Sequence, residues 1–188
     1  MDDRFEILTE RLILRMPHLE DAAEINAAMR DVWHDLQLWM SWAHDGQETI
    51  ASTTSFIEDK ANMPICGFCR ATGKFVIATG LRPDNDSYIT GYWVAKDFLG
   101  QGYATEATNA VIRYAFSMLE APSVKIEYFE GNEKSRRVIE KLGFTALPVI
   151  PKSQARCLDG KMLDNHPYIM ESPSVLPALD VQWRVPDP

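Results

Sequence analysis

The sequence predicts a single α/β (α+β) domain over residues 1–171, a mixed and mostly antiparallel sheet flanked by helices, with an extended Pro-rich tail at 172–188. Three observations predict it. Strand-like segments at 67–71, 74–81 and 88–95 are separated only by short turns at Thr72-Gly73 and Asp84-Asn85-Asp86, which imposes antiparallel pairing. A long helical pattern over 102–119 is then followed by a strand pattern at 125–129, and strand, helix, strand in succession is a parallel crossover. The chain length of 188 residues suits one core.

The remaining elements follow in order. Arg11-Leu12-Ile13-Leu14-Arg15 reads as a strand that stops near Pro17. Residues 20–30 form a helix pattern with Ala22, Ile25 and Met29 on one face. The aromatic-rich stretch 33–44 has no decisive period. Residues 48–62 read as a weaker helix, because Ser52-Thr53-Thr54-Ser55 has poor helix propensity. The 102–119 helix carries an apolar stripe of Ala104, Ala107, Val111, Ala115 and Met118, with Pro122 beyond its end. A shorter helix at 133–142 is bounded by Asn132, a good N-cap, and Gly143, suited to the left-handed position past a helix end; Glu133 complements the positive end of its dipole. Further strands are expected up to 171. Prolines at 173, 177, 186 and 188 argue for an extended tail.

Composition excludes several function classes. With 46% hydrophobic and 24% charged residues, the chain is an ordinary globular sequence. Its net charge of −8 argues against a general nucleic-acid binder. The opening Met1-Asp2-Asp3 is acidic and no apolar run approaches the roughly 18 residues of a membrane helix, so a cytoplasmic protein without a membrane partner is expected. Of the three cysteines, Cys66 and Cys69 have CxxC spacing, but no second Cys or His pair accompanies them; they read as strand thiols, and no metal site is expected.

Chemistry is concentrated where the long helix begins. Gly100 and Gly102 immediately precede it, and a helix start offers about four unpaired N–H groups and a partial positive charge to an anion. A P-loop is excluded, because Gly102 is followed by Tyr103 rather than a lysine. A dinucleotide fingerprint would need a third glycine where Thr105 stands, and the candidate ribose-binding acid, Glu127, lies inside a strand pattern. A simple turn with a helix cap explains the two glycines equally well.

The flanking sequence discriminates. "GYWVAKDFLGQGYATEA" (91–107) resembles the acyl-CoA-binding motif of the GNAT superfamily of N-acetyltransferases, and "NEKSRRVIEKLGF" (132–144) resembles the motif that follows it in the branch containing the ribosomal-protein N-terminal (serine/alanine) acetyltransferases. "TERLILRMPHLED" (9–21) is similar to that branch's opening strand and helix, and "LQLWMSWA" (36–43) to its substrate-side Trp-rich segment. Two departures stand out. Leu99 occupies a place where the superfamily usually has a polar residue, and the Glu-Gly that many relatives show after the second motif is absent behind Phe144.

The resemblance implies acetyl transfer from acetyl-CoA to a primary amine by direct attack in a ternary complex. It also implies a splay between central strands that holds the cofactor. The pyrophosphate would sit on N–H groups of Leu99, Gly100, Gln101, Gly102, Tyr103, Ala104 and Thr105, and the pantetheine arm would pair with the backbone at Trp93, Val94 and Ala95. The Val94 N–H would polarise the thioester carbonyl. Asn132 would contact the pantetheine and Ser135 would protonate the leaving thiolate, although Asn132 also reads simply as an N-cap, Ser135 as the residue it caps, and water can supply the proton. Trp39 and Trp42, with Met40, would line the acceptor pocket or pack the core. Arg136, Arg137 and Lys141 would steer the phosphates or be solvated helix charges.

The acceptor is a protein N-terminus or a small amine; an α-amine, with a pKa near 7.7–8.0, is partly neutral at pH 7. His34, His44, Asp86, Glu130 and His166 are base candidates by residue type alone. The oligomeric expectation is a monomer or homodimer. A non-catalytic CoA-binding regulatory module and a dinucleotide-binding protein are the alternatives.

Overall fold

The computed structural model describes residues 5–184. The chain runs β1 (Glu6–Leu8), β2 (Leu12–Arg15), α1 (Ala22–Asp31), α2 (Trp33–Trp39), α3 (Ile50–Glu58), β3 (Pro64–Cys69), β4 (Phe75–Asp84), β5 (Ser87–Val94), α4 (Tyr103–Met118), β6 (Val124–Phe129), α5 (Glu133–Leu142), β7 (Thr145–Ala146), β8 (Ile150–Ala155), β9 (Met162–Met170) and β10 (Gln182–Arg184). These strands form one sheet in the order β10-β1-β2-β3-β4-β5-β6-β9-β7, with β8 paired to β9. Every described pairing is antiparallel except β5 with β6, which α4 connects as a crossover.

Helices cover both faces. Ala107, Val111 and Ala115 of α4 and Ile139 and Leu142 of α5 pack on Val124, Ile126 and Tyr128. On the other face Ala22 and Ile25 of α1 and Ile57 of α3 pack on Cys66, Phe68, Phe75 and Ala78. Met29, Val32, Leu36 and Ala43 form a satellite cluster around α2. Cys66 and Cys69 are free thiols, three residues apart on one strand and packed in different clusters; burial pushes the Cys66 thiol well above its ordinary range.

The α5 bounds agree with the sequence reading, because both of its caps are local: the Asn132 side chain accepts the Ser135 N–H and Gly143 is left-handed. Three details differ from expectation. Met118 is exposed, and the buried face of α4 instead includes Thr108, Ile112 and Tyr114. The aromatic stretch after residue 32 forms α2, an element set by packing rather than by period. The segment after 171, expected as a tail, is extended yet docked. Pro177 O accepts from Asn109 Nδ2 at 2.9 Å and Arg113 Nη2 at 3.0 Å, Leu176 is buried, and β10 adds to β1. Pro186 and Pro188 lie outside the described residues.

Candidate functional site

The sheet opens where the crossover lies. β5 and β6 pair only at Tyr88–Val124, Ile89–Lys125 and Thr90–Ile126. Beyond that, β5 stays on β4 through Ile77–Val94, while β6 stays on β9 through Phe129–Asn165. A cleft therefore runs between the last four residues of β5 and the last three of β6, with each wall held from behind by another strand.

Ladder parity decides which backbone groups face that cleft. Ala95 N–H donates to Val76 O at 2.9 Å. In an antiparallel ladder, alternate residues turn their N–H and C=O the same way. Trp93 therefore also turns toward β4, whereas Tyr92 and Val94 turn away from it and have no strand opposite. This corrects one expectation: the backbone groups of Trp93 and Ala95 are committed to β4, and those free to pair with a ligand in the cleft belong to Tyr92 and Val94. The Trp93 side chain packs on the opposite side, 5.2 Å from Phe75.

Two helices begin at the mouth of this cleft. A short 3-10 turn at Lys96–Phe98 follows β5, and Gly100 (φ 73°) and Gly102 (φ 83°) then lead into α4, with Gly102 as a left-handed N-cap that carries no capping side chain. The first-turn N–H groups of α4 are thus left for a ligand. Both glycines have a positive φ, which favours glycine whatever the space; among protein atoms, a Cβ on Gly100 would have none within 4 Å and one on Gly102 would lie 3.6 Å from Arg11 Nη2. Leu99, which replaces a polar residue, is exposed.

At the end of β6 the chain turns through Gly131 into α5. Asn132 Oδ1 accepts from Ser135 N at 3.2 Å, and the Ser135 hydroxyl lies 3.5 Å from the Tyr92 hydroxyl, a contact that bridges the two walls of the cleft. Burial raises the Tyr92 phenol above its ordinary range. Arg136 is paired with Glu133 at 2.9 Å, and Arg137 Nε donates to Glu133 O at 3.2 Å, so both are engaged along their own helix.

The aromatic residues separate. Trp39 is half-buried and lies against Gly131, where an added Cβ would come within 3.4 Å of its ring. Trp42 is exposed and tilted against Trp33 at 6.1 Å. The β8–β9 turn latches onto α2 through Leu158 N–H to Gln37 O (3.1 Å) and Cys157 Sγ to Met40 O (3.2 Å), closing one side of this region. The base candidates scatter. Asp86 sits in the β4–β5 turn, eight residues from Val94 along an extended strand and hence about 26 Å away. His166 stacks on Tyr128 at 4.6 Å, beneath α5. His34, His44 and Glu130 are exposed.

The sequence reading did not single out Tyr92, Arg11, Glu106 or Gly131. Tyr92 stands inside the quoted motif, so alternation along β5 was the available signal. Arg11 and Glu106 are 95 residues apart, and nothing local pairs them.

Fold and cleft together leave the Tyr92 and Val94 backbone edge and the start of α4 on one open side of the sheet. Comparison places that architecture in a family. The acetyltransferase (GNAT) domain profile matches residues 11–145. Over 54 residues the chain is 52% identical to the "Putative ribosomal N-acetyltransferase YdaF" of Bacillus subtilis, a stretch that spans 29% of this chain and 30% of that protein. Two solved structures share the fold. The microcin C7 self-immunity acetyltransferase MccE, in complex with acetyl-CoA and AMP, has a TM-score of 0.77 at 21% identity, covering 87% of this chain and 93% of its own. The ribosomal-protein-S5-alanine acetyltransferase of Vibrio fischeri has a TM-score of 0.78 at 17% identity, covering 88% and 96%. The chain belongs to the GNAT acetyltransferase family. Among its described residues no helix is long and apolar enough to cross a membrane.

Proposed function

We propose that this protein transfers an acetyl group from acetyl-CoA to the α-amine of a protein N-terminus. One observation carries the reading: β5 and β6 part after Thr90–Ile126 and leave the Tyr92 and Val94 backbone groups without a partner. A pantetheine arm carries two amides along an extended chain, and amides satisfy such groups as an added strand would. Gly100 and Gly102 at the start of α4 suit the diphosphate in the same way. The residues present therefore fit the cofactor.

Acetyl-CoA supplies an acyl group activated as a thioester. The N–H groups from Gly100 to Thr105 would hold the phosphates, whereas the Leu99 N–H, expected among them, is committed to Lys96 O at 3.3 Å; the Tyr92 and Val94 backbone would hold the arm. The Val94 N–H would polarise the thioester carbonyl; such preorganised donors typically contribute about 3–4 kcal/mol. Ser135, which lies 3.5 Å from the Tyr92 hydroxyl, would give its proton to the departing sulfur, and the proton lost by the attacking amine would restore it by way of solvent. Trp39 forms the wall along which the acceptor enters. An acceptor that is already partly neutral at pH 7 needs the least help from a base, and an α-amine satisfies this where a lysine does not. The names of YdaF and of the Vibrio fischeri enzyme point to ribosomal-protein termini as the class of acceptor.

The test is an acceptor screen with labelled acetyl-CoA over peptides with free Ser, Ala or Met N-termini, the same peptides with blocked termini, and polyamines. Acceptor-dependent transfer confined to free N-termini is expected. Transfer to polyamines alone would overturn the acceptor assignment, and CoA binding with no transfer to any acceptor would make the protein a CoA-binding module.

A further inference from the structure

Arg11 lies immediately before β2, on the far side of the sheet order from the cleft, yet its guanidinium reaches the phosphate loop. Its Nη1 donates to Gln101 O at 3.0 Å. Its Nε and Nη2 both reach Glu106 Oε2, at 2.6 and 2.5 Å. The guanidinium also lies 4.1 Å from the centroid of the Tyr103 ring. The other Glu106 oxygen accepts from the Thr9 hydroxyl at 2.6 Å and from the Arg11 backbone N–H at 3.2 Å. Glu106 is 9% exposed, so it is a nearly buried carboxylate with every contact directed at the β2 end.

Two consequences bear on anion binding. The described chain has no cis peptide bonds, and in a trans peptide the C=O and the following N–H point in opposite directions. Holding Gln101 C=O on Arg11 therefore aims the Gly102 N–H away from Arg11, to the side left open to a ligand. Second, Glu106 stands in the first turn of α4, where a carboxylate opposes an incoming anion. The Arg11 cation offsets that charge at contact distance, in a pairing of the strong, charge-assisted kind.

We infer that Arg11 is a positioning residue for the phosphate loop, fixing the direction of the Gly102 N–H and cancelling the Glu106 charge so that a diphosphate can dock. The inference rests on the cofactor reading above and adds to it a residue that touches no substrate atom. Its signature is selectivity: losing Arg11 should weaken donors that carry the diphosphate and spare a donor that lacks it.

The experiment measures the calorimetric Kd for CoA, and kcat/KM for acetyl-CoA and for S-acetylpantetheine, in the wild type, Arg11→Met and Arg11→Met/Glu106→Gln. Arg11→Met should raise the Kd for CoA about tenfold, equivalent to ~1.4 kcal/mol. The loss with acetyl-CoA should reside in KM, and kcat/KM for S-acetylpantetheine should stay within about twofold. Adding Glu106→Gln should recover part of the CoA affinity. An unchanged Kd for CoA in folded Arg11→Met, or equal losses with both donors, overturns the inference. Should Arg11→Met not fold, Arg11→Lys serves: its compact ammonium keeps a charge for Glu106 but lacks the planar fork whose Nη1 reaches the Gln101 carbonyl, so an unchanged CoA Kd there overturns the carbonyl-orienting role. Gly102→Val separates the levels. If it weakens CoA while the Arg11 variants do not, only the positioning role fails; if it also leaves the CoA Kd unchanged, the phosphate-loop reading itself fails.

Discussion

Asn132 is where a structural role and a catalytic one can be separated by a single side-chain series. Its Oδ1 is occupied as the cap of α5, accepting from Ser135 N at 3.2 Å, while its Nδ2 donates to no described group. Truncation to alanine should therefore do two things at once. Loss of the cap costs about 1 kcal/mol, which in a chain of this size lowers Tm by roughly 2–4 °C. Loss of the free amide donor should weaken the pantetheine arm by about 1 kcal/mol, the value of one neutral hydrogen bond, or roughly fivefold in KM for acetyl-CoA. Asn132→Ser divides the two, since a serine hydroxyl caps as well as an asparagine oxygen but brings no donor to the same distance. Thermal melts and steady-state kinetics on both variants are the assay. Asn132→Ser should regain most of the lost Tm and keep the raised KM. If it restores both, or if Asn132→Ala lowers Tm with KM unchanged, Asn132 is only a cap.

Three further expectations are simpler. Ser135→Ala keeps the backbone N–H that Asn132 caps, so the fold and the CoA affinity should persist while kcat falls about 100-fold, the usual scale for a lost general acid; an unchanged kcat would leave solvent as the proton donor. Trp39→Ala removes the ring lying against Gly131 and should raise the peptide-acceptor KM with little effect on the CoA Kd, so a loss confined to CoA binding would place Trp39 on the wrong side of the reaction. Asp21 is opposed by desolvation, but hydrogen bonds from Arg15 and the His18 N–H more than offset it and hold the carboxyl below its ordinary 3.8. A lowered folded pKa contributes stability that is present above 3.8 and lost as pH falls through the folded value. Denaturant melts should accordingly show Asp21→Asn weaker by about 1 kcal/mol at pH 7 and a gap that closes below that value; a gap independent of pH would remove the charge from the argument.

What was legible in the sequence was local. The α5 caps, the Thr72-Gly73 and Asp84-Asn85-Asp86 turns and the two loop glycines each declare themselves within a few residues, and α5 spans Glu133–Leu142 in both readings. What was not legible depends on partners distant in sequence. β1 and β10 are three-residue strands held by long-range pairing, β1 between β2 and β10, and β10 on β1. α2 forms because Leu36 and its neighbours have a cluster to fill. The site divides the same way. Motif resemblance located the loop, Asn132 and Ser135, but only the ladder with β4 assigns the outward-facing groups to Tyr92 and Val94 rather than to Trp93 and Ala95. Only the folded chain brings Arg11 to Glu106.

That ladder has a consequence for where control of the cleft resides. The side to which the Val94 N–H points is set by parity, so a slip of one residue between β4 and β5 would turn it back onto β4 and present Trp93 or Ala95 to the cleft. At the cleft end β5 has no β6 ladder to add to its pairing with β4. The register is fixed at the other end, where Asp84 pairs with Ser87 across a turn that holds Asn85 at φ 55°, a left-handed conformation that asparagine tolerates better than other non-glycine residues. It is fixed again where the Ser87 hydroxyl bonds to Ser123 and Lys125 pairs with Asp84 at 2.7 Å, joining β6 to the same turn. The far end of the sheet is thus where sequence choice decides which amide can act at the open end. A turn about 26 Å from Val94 bears on the chemistry without contributing an atom to it.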